Sequence, residues 1–171
     1  MKKRVVIING KGGVGKDTLC DIISKKYAVK NVSSITPIKE IAQIGGWKGG
    51  KENKDRKFLA DLKKLFIDYN DLPFLYLKKE MESFLLNNDD ILFIHIREIE
   101  EINRFLQYAT EKEVVCKTLL ITREEEKNKI YGNCADDMVE QYNYDIVYEN
   151  NMTLEQTEED FMKFFEKNVL K

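Results

Sequence analysis

Residues 10–18 read GKGGVGKDT and lie between the apolar run RVVII at 4–8 and a segment, LCDII, with helical spacing. Few local patterns restrict a fold as strongly. A short continuous apolar run that changes abruptly to glycine reads as a buried parallel strand entering a tight turn. After it, Leu19, Ile22, Ile23 and Tyr27 recur near the helical period, so a first helix opens at about Gly15. Strand, glycine loop and helix together form the setting in which backbone amides can converge on a phosphate.

The rest of the chain repeats this alternation. Residues 31–34 read as a short second strand, and Pro37 suits the start of a helix running to about Ile44, where IGGWKGG interrupts it. Leu59, Leu62, Leu65 and Phe66 lie near helical spacing, and another helix is expected in the region before Asn87. ILFIHI at 91–96 reads as a central strand, followed by a helix from Glu98 to about Ala109 and a strand over 114–122. REEEKNK at 123–129 is too polar for a core and reads as a mobile loop. A helix around Ala135–Gln141, a strand around Tyr144–Tyr148 and a terminal helix from Leu154 to Phe165 complete the chain. TLEQ at 153–156 supplies the last helix with a capping box, Thr153 paired with Gln156. Such alternation predicts one α/β domain with helices on both faces of a parallel sheet.

Composition narrows the setting. A chain of 171 residues, 43% hydrophobic and 34% charged, has the make-up of one globular core. Its formal charge of −2 provides no general attraction to nucleic acid or to an anionic membrane. No apolar run approaches a membrane span, and the apolar stretch behind MKKR ends too soon for a secretory signal. Cys20, Cys116 and Cys134 have no metal-ligand spacing, and their odd number suits reduced thiols in the cytoplasm.

Within the loop, Gly10, Gly12, Gly13 and Gly15 remove side chains where backbone must curl round a ligand. Lys16 supplies a mobile cation for the outer phosphates of ATP. Lys11 and Val14 complete the cradle, and Thr18 can contact an inner phosphate. Asp17 stands where a Ser or Thr hydroxyl ordinarily follows the lysine. A carboxylate beside polyphosphate is repelled unless a divalent cation intervenes, so Asp17 is a candidate Mg2+ ligand or orienter of the attacking oxygen. The bland alternative is an acidic residue in a helix's first turn.

KGGVGK resembles the deviant phosphate loop of the ParA/MinD ATPases, in which Lys11 would reach across a dimer. Those proteins carry Ser or Thr after the second lysine. The sequence around GKDT resembles instead the deoxynucleoside monophosphate kinases and related adenylate-kinase-like phosphotransferases. That likeness extends to SSITPIKEIAQIGG at 33–46, HIREIEEINRF at 95–105 and NCADDMVEQYNYDIVYENNMTLEQ at 133–156. Where the family has an Asp before its strand-end Val–Arg, this sequence has His95.

The resemblance implies a P-loop nucleoside/nucleotide-kinase-like αβα sandwich, with about five parallel strands in the order 2-3-1-4-5. It implies one domain over 1–171, a substrate-side helical insertion around 45–88 and a short lid around 123–134. Catalysis would fall to Lys16, Asp17, Arg97 and Arg123, with ATP and Mg2+ held at Gly10–Thr18 and acceptor contacts from Lys39, Arg56 and Arg97. The acceptor would be a small phosphorylated molecule, first among them a nucleoside or deoxynucleoside monophosphate; no nucleic acid or membrane is called for, and a homodimer is left open. His95 reads either as a base or as a cleft-edge residue, and Asp136–Asp137 as lid or acceptor groups or as exposed helix-start acids. Three alternatives stand beside this: a kinase of a phosphorylated alcohol or dephospho-coenzyme, a noncatalytic ATP-binding switch, and a ParA/MinD-like ATPase.

Overall fold

The computed structural model describes residues 2–50, 52–130 and 138–171. Five strands, β1 (Arg4–Asn9), β2 (Val29–Ser33), β3 (Ile91–His95), β4 (Cys116–Thr122) and β5 (Ile146–Glu149), form one parallel sheet in the order β2-β3-β1-β4-β5. The order that the resemblance implies is therefore observed. β1 lies at the centre, with Ile8 opposite His95 of β3 and Asn9 opposite Leu120 of β4. Both faces of β1 are covered, which is why Val5, Val6, Ile7 and Ile8 are all buried and the strand reads as an unbroken apolar run.

The chain divides into two compact units, Met1–Asn31 with Asn87–Lys171, and Val32–Leu86. In the first, α1 (Lys16–Ser24) and α6 (Leu154–Asn168) pack together, and Leu19 and Ile23 meet Phe161 and Phe165 over Val6, Ile8 and Phe93. Helix α5 (Ile99–Glu111) buries Ile102, Phe105, Tyr108 and Ala109 and contacts β4. Fully burying side chains of this size contributes about 1.5–3 kcal/mol each. The capping box at Thr153 forms as the sequence predicts, Gln156 N–H donating to Thr153 Oγ1 at 3.4 Å.

The second unit holds α2 (Thr36–Ile44), α3 (Asn53–Asn70) and α4 (Leu72–Leu86), with α3 packed on α2 and α4. The region before Asn87, expected to be helical, holds both α3 and α4. Asp71 adopts a left-handed conformation at φ 56°, and Pro73 follows in the first turn of α4, so the helical hydrogen-bond ladder cannot run through. In the glycine break, Trp47 donates its indole N–H to Asp55 Oδ1 at 3.0 Å, and the same carboxylate accepts from Glu52 N–H at 3.2 Å. Lys63 is the one described residue of α3 that is buried, with Nζ donating to Ser34 Oγ at 3.1 Å.

The other differences are local. Residues 114 and 115 precede β4, which begins at Cys116. The helix expected at Ala135–Gln141 appears, among the described residues, as a single 3-10 turn at Val139–Gln141. Cys134, Asp136 and Asp137 lie outside the described residues. Among those residues, no helix is long and apolar enough to cross a membrane.

Candidate nucleotide site

The glycine loop runs from the carboxyl end of β1 into α1, at the centre of the sheet. Ligands of open α/β sheets collect at strand carboxyl ends where the chain order reverses, and β1, between β3 and β4, is that point here. Gly10 has φ 147°, and a Cβ there would stand 2.4 Å from Ile121 O of β4, so the loop leaves the sheet where only hydrogen fits. Gly15, at φ 90°, is the left-handed residue before α1. A Cβ on it would stand 2.7 Å from Asn150 Nδ2.

Lys16 Nζ donates to Gly10 O at 2.5 Å and Lys11 O at 2.9 Å, folding the ammonium back over the loop's own start. The carbonyl partners are neutral, so an incoming phosphate competes for this cation on favourable terms. Asp17 and Thr18 are exposed in the first turn of α1. Lys11 is turned the other way. It is 8% exposed, donates to Lys127 O at 2.5 Å and stands 3.9 Å from Glu140 Oε1.

At the end of β3, His95 is drawn into the same electrostatic neighbourhood. Burial pushes its imidazole down to about 4; Asp17 acts in the opposite direction, while Lys16 and Arg97 reinforce the fall. His95 is therefore neutral at pH 7. Lys16, Asp17 and Arg97 each act on His95 electrostatically, and Arg97 is exposed. Arg123 follows β4, partly exposed, with Nε 3.4 Å from Glu125 Oε2. Lys39 on α2 and Arg56 on α3 are exposed residues of the second unit.

Several residues that frame the loop carry no signal in the sequence. Glu126, from the segment expected to be a mobile polar loop, is 8% exposed because η1 (Glu124–Glu126) turns it inward. Its carboxylate lies against Gly13, with Oε1 3.1 Å from the site of a Cβ there, and accepts from Lys129 at 2.6 Å. Asn9 is buried at the loop's entrance, where Oδ1 accepts from Gly10 N–H at 2.9 Å and Nδ2 donates to Tyr144 Oη at 2.8 Å. Tyr144 Oη in turn donates a hydrogen bond to Val139 O at 2.8 Å, and burial raises its pKa. Asn150 closes the far side through Val14 O.

Among the described residues, no group of three His, Cys, Asp or Glu side chains is arranged to hold a metal ion. Asp17, the expected ligand, is a single exposed carboxylate in the loop's helix. That donor set fits Mg2+, which is ordinarily held by one or two carboxylates together with substrate phosphates and water. A groove lined by Cys116, Asp145, Ile146 and Phe164 opens at the amino ends of β4 and β5, away from the strand ends that bear the loop.

No protein-family model and no curated protein sequence matches the chain. Solved structures do match it over nearly its full length. The tunicamycin resistance protein of Deinococcus radiodurans has a TM-score of 0.59 at 8% identity, covering 95% of each chain. The Mycobacterium tuberculosis APS kinase CysC, in complex with AMPPNP and APS, has a TM-score of 0.52 at 11% identity, covering 96% of this chain and 98% of that one. APE1195 has a TM-score of 0.51 at 14% identity, covering 97% of this chain and 96% of that one. Together with the strand order and the loop, these similarities give the chain the P-loop kinase fold.

Proposed function

We propose that the protein is an ATP-dependent phosphotransferase whose acceptor is a small phosphorylated molecule, a nucleoside or deoxynucleoside monophosphate before other classes. The observation that carries the reading is the glycine loop joining the carboxyl end of β1 to α1 at the centre of the sheet, beside a His95 whose imidazole feels the charges of Lys16, Asp17 and Arg97. An anionic acceptor oxygen attacks the γ-phosphorus of ATP, the bond to the β-phosphate oxygen breaks, and ADP leaves. The loop amides and Lys16 spread the phosphate charge, and Arg97 stabilises the migrating group. Arg123, released from Glu125, adds a second guanidinium. Lys39 and Arg56 are cations suited to an acceptor phosphate. Mg2+, held by Asp17 and the phosphates, would supply further charge neutralisation.

A phosphorylated acceptor suits a site of this kind because it brings its own nucleophile. A phosphate monoester loses its second proton near pH 6 and attacks as a dianion, without a base. The buried, internally bonded Lys11 is unlike a lysine that must reach across a dimer.

The test is a panel of nucleoside and deoxynucleoside monophosphates and small phosphorylated alcohols, each with ATP–Mg2+ and read by product mass. The expected result is one acceptor class gaining a phosphoryl group as ADP appears. Tight ATP binding with no product across the panel would overturn the phosphotransferase reading in favour of a nucleotide switch.

A further inference from the structure

Asn150 stands at the carboxyl end of β5, 136 positions from its partner in the loop, and it is 7% exposed. Its backbone N–H donates to Thr122 O at 2.8 Å, extending the β4–β5 pairing by one step. Its side chain makes two further bonds, both buried: Nδ2 donates to Val14 O at 2.9 Å, and Oδ1 accepts from Thr157 Oγ1 at 3.2 Å. Thr157, 2% exposed in the first turn of α6, fixes which way the amide faces. A carbonyl oxygen such as Val14 O can only accept, so Nδ2 must face the loop and Oδ1 must face the hydroxyl.

What this does to the loop follows from peptide geometry. The Val14–Gly15 peptide is trans, and in a trans peptide the carbonyl and the next N–H point to opposite sides. Holding Val14 O against Asn150 therefore turns the Gly15 N–H away from it. Gly15 is the residue at which this peptide could otherwise rotate, because glycine moves between left- and right-handed φ without a Cβ penalty. The 2.7 Å between Asn150 Nδ2 and the site of a Gly15 Cβ shows how closely amide and glycine are fitted.

We propose that Asn150, oriented by Thr157, is a positioning residue of the nucleotide site: it locks the Val14–Gly15 peptide so that the Gly15 N–H faces the ATP phosphates. A rotated peptide would turn the Val14 carbonyl toward those oxygens, replacing a donor by a repelling acceptor. This rests on the nucleotide-binding half of the function proposed above and is independent of the acceptor.

The experiment measures ADP binding by calorimetry, with Mg2+ present, to the wild-type chain and to Asn150→Ala and Thr157→Val. Thermal unfolding is followed on the same samples. A lost hydrogen bond to a charged ligand corresponds to a rise in Kd of about tenfold for Asn150→Ala, and less for Thr157→Val. In the wild-type chain, the Gly15 amide should move strongly in 15N–1H spectra on ADP addition, and in Thr157→Val that shift should shrink. Variants that bind ADP as the wild type does overturn the proposal, as does a Gly15 amide that ignores ADP. If Asn150→Ala does not fold, Thr157→Val and the wild-type Gly15 shift decide. A wild-type chain that binds no adenine nucleotide removes the underlying reading as well, so the two failures are told apart.

Discussion

Lys11 Nζ lies 2.5 Å from the carbonyl oxygen of Lys127, tying the glycine loop to the segment that follows β4. Glu140, 3.9 Å away, draws the same ammonium toward the 3-10 turn before β5. The loop's first lysine thus serves its own chain, while the second, Lys16, holds the carbonyls of Gly10 and Lys11. Lys11→Ala should leave the oligomeric state unchanged with and without ATP, as read by light scattering. Stability should fall by about 1–3 kcal/mol, because a buried polar contact is lost. Loss of an ATP-dependent dimer in the variant would restore the ParA/MinD-like alternative.

Lys16 is predicted to matter to the transferring phosphate. Its two carbonyl partners hold an ammonium that ATP must recruit. Lys16→Met should lower the rate of acceptor-dependent ADP formation by about 10²–10³-fold, the usual effect of removing one preorganised charge-stabilising group. Circular dichroism should show the fold intact, because the side chain is only partly buried at the loop. A variant retaining full turnover would show that the loop's amides suffice.

Asp17 is exposed beside Lys16, where it is open to a magnesium ion arriving with nucleotide. Asp17→Asn removes the negative charge and keeps the shape. The Mg2+ concentration for half-maximal rate should rise about tenfold, the scale of one charge-assisted contact. Unchanged magnesium dependence and rate would reduce Asp17 to a first-turn acid that complements the helix dipole.

How far the sequence revealed this arrangement depended on whether a residue acts locally or at long range. The P-loop was legible because its requirements are local: strand, glycines, lysine and helix follow one another in the chain. The sheet order came through resemblance, since alternation alone sets the class and not the strand sequence. Asn9, Tyr144 and Asn150 were illegible because each acts on a partner far along the chain. Glu126 misled for a related reason: in a run of acids and lysines nothing marks the one that a 3-10 turn carries against Gly13. The helical region before Asn87 was legible in its apolar spacing, and Pro73 stands where α4 parts from α3.

His95 offers a test of the site's burial through pH. In the unfolded chain its imidazole takes up a proton near 6.5, but in the folded chain only near 4, chiefly because burial disfavours the cation. Between those values the unfolded state carries more protons, so the folded state loses stability as pH falls from 6.5 toward 4. Above 6.5 this group contributes no slope. The loss attributable to His95 should approach about 3 kcal/mol near pH 4, from a shift of roughly two and a half units at 1.36 kcal/mol each. Carboxylates titrate over the same range, so the measured quantity is the difference between wild type and His95→Gln in urea unfolding across pH 4–8. Glutamine cannot be protonated there, and its stability curve should be flatter on the acid side. Parallel curves for the two proteins would mean that His95 titrates alike folded and unfolded, and that the end of β3 is open to water.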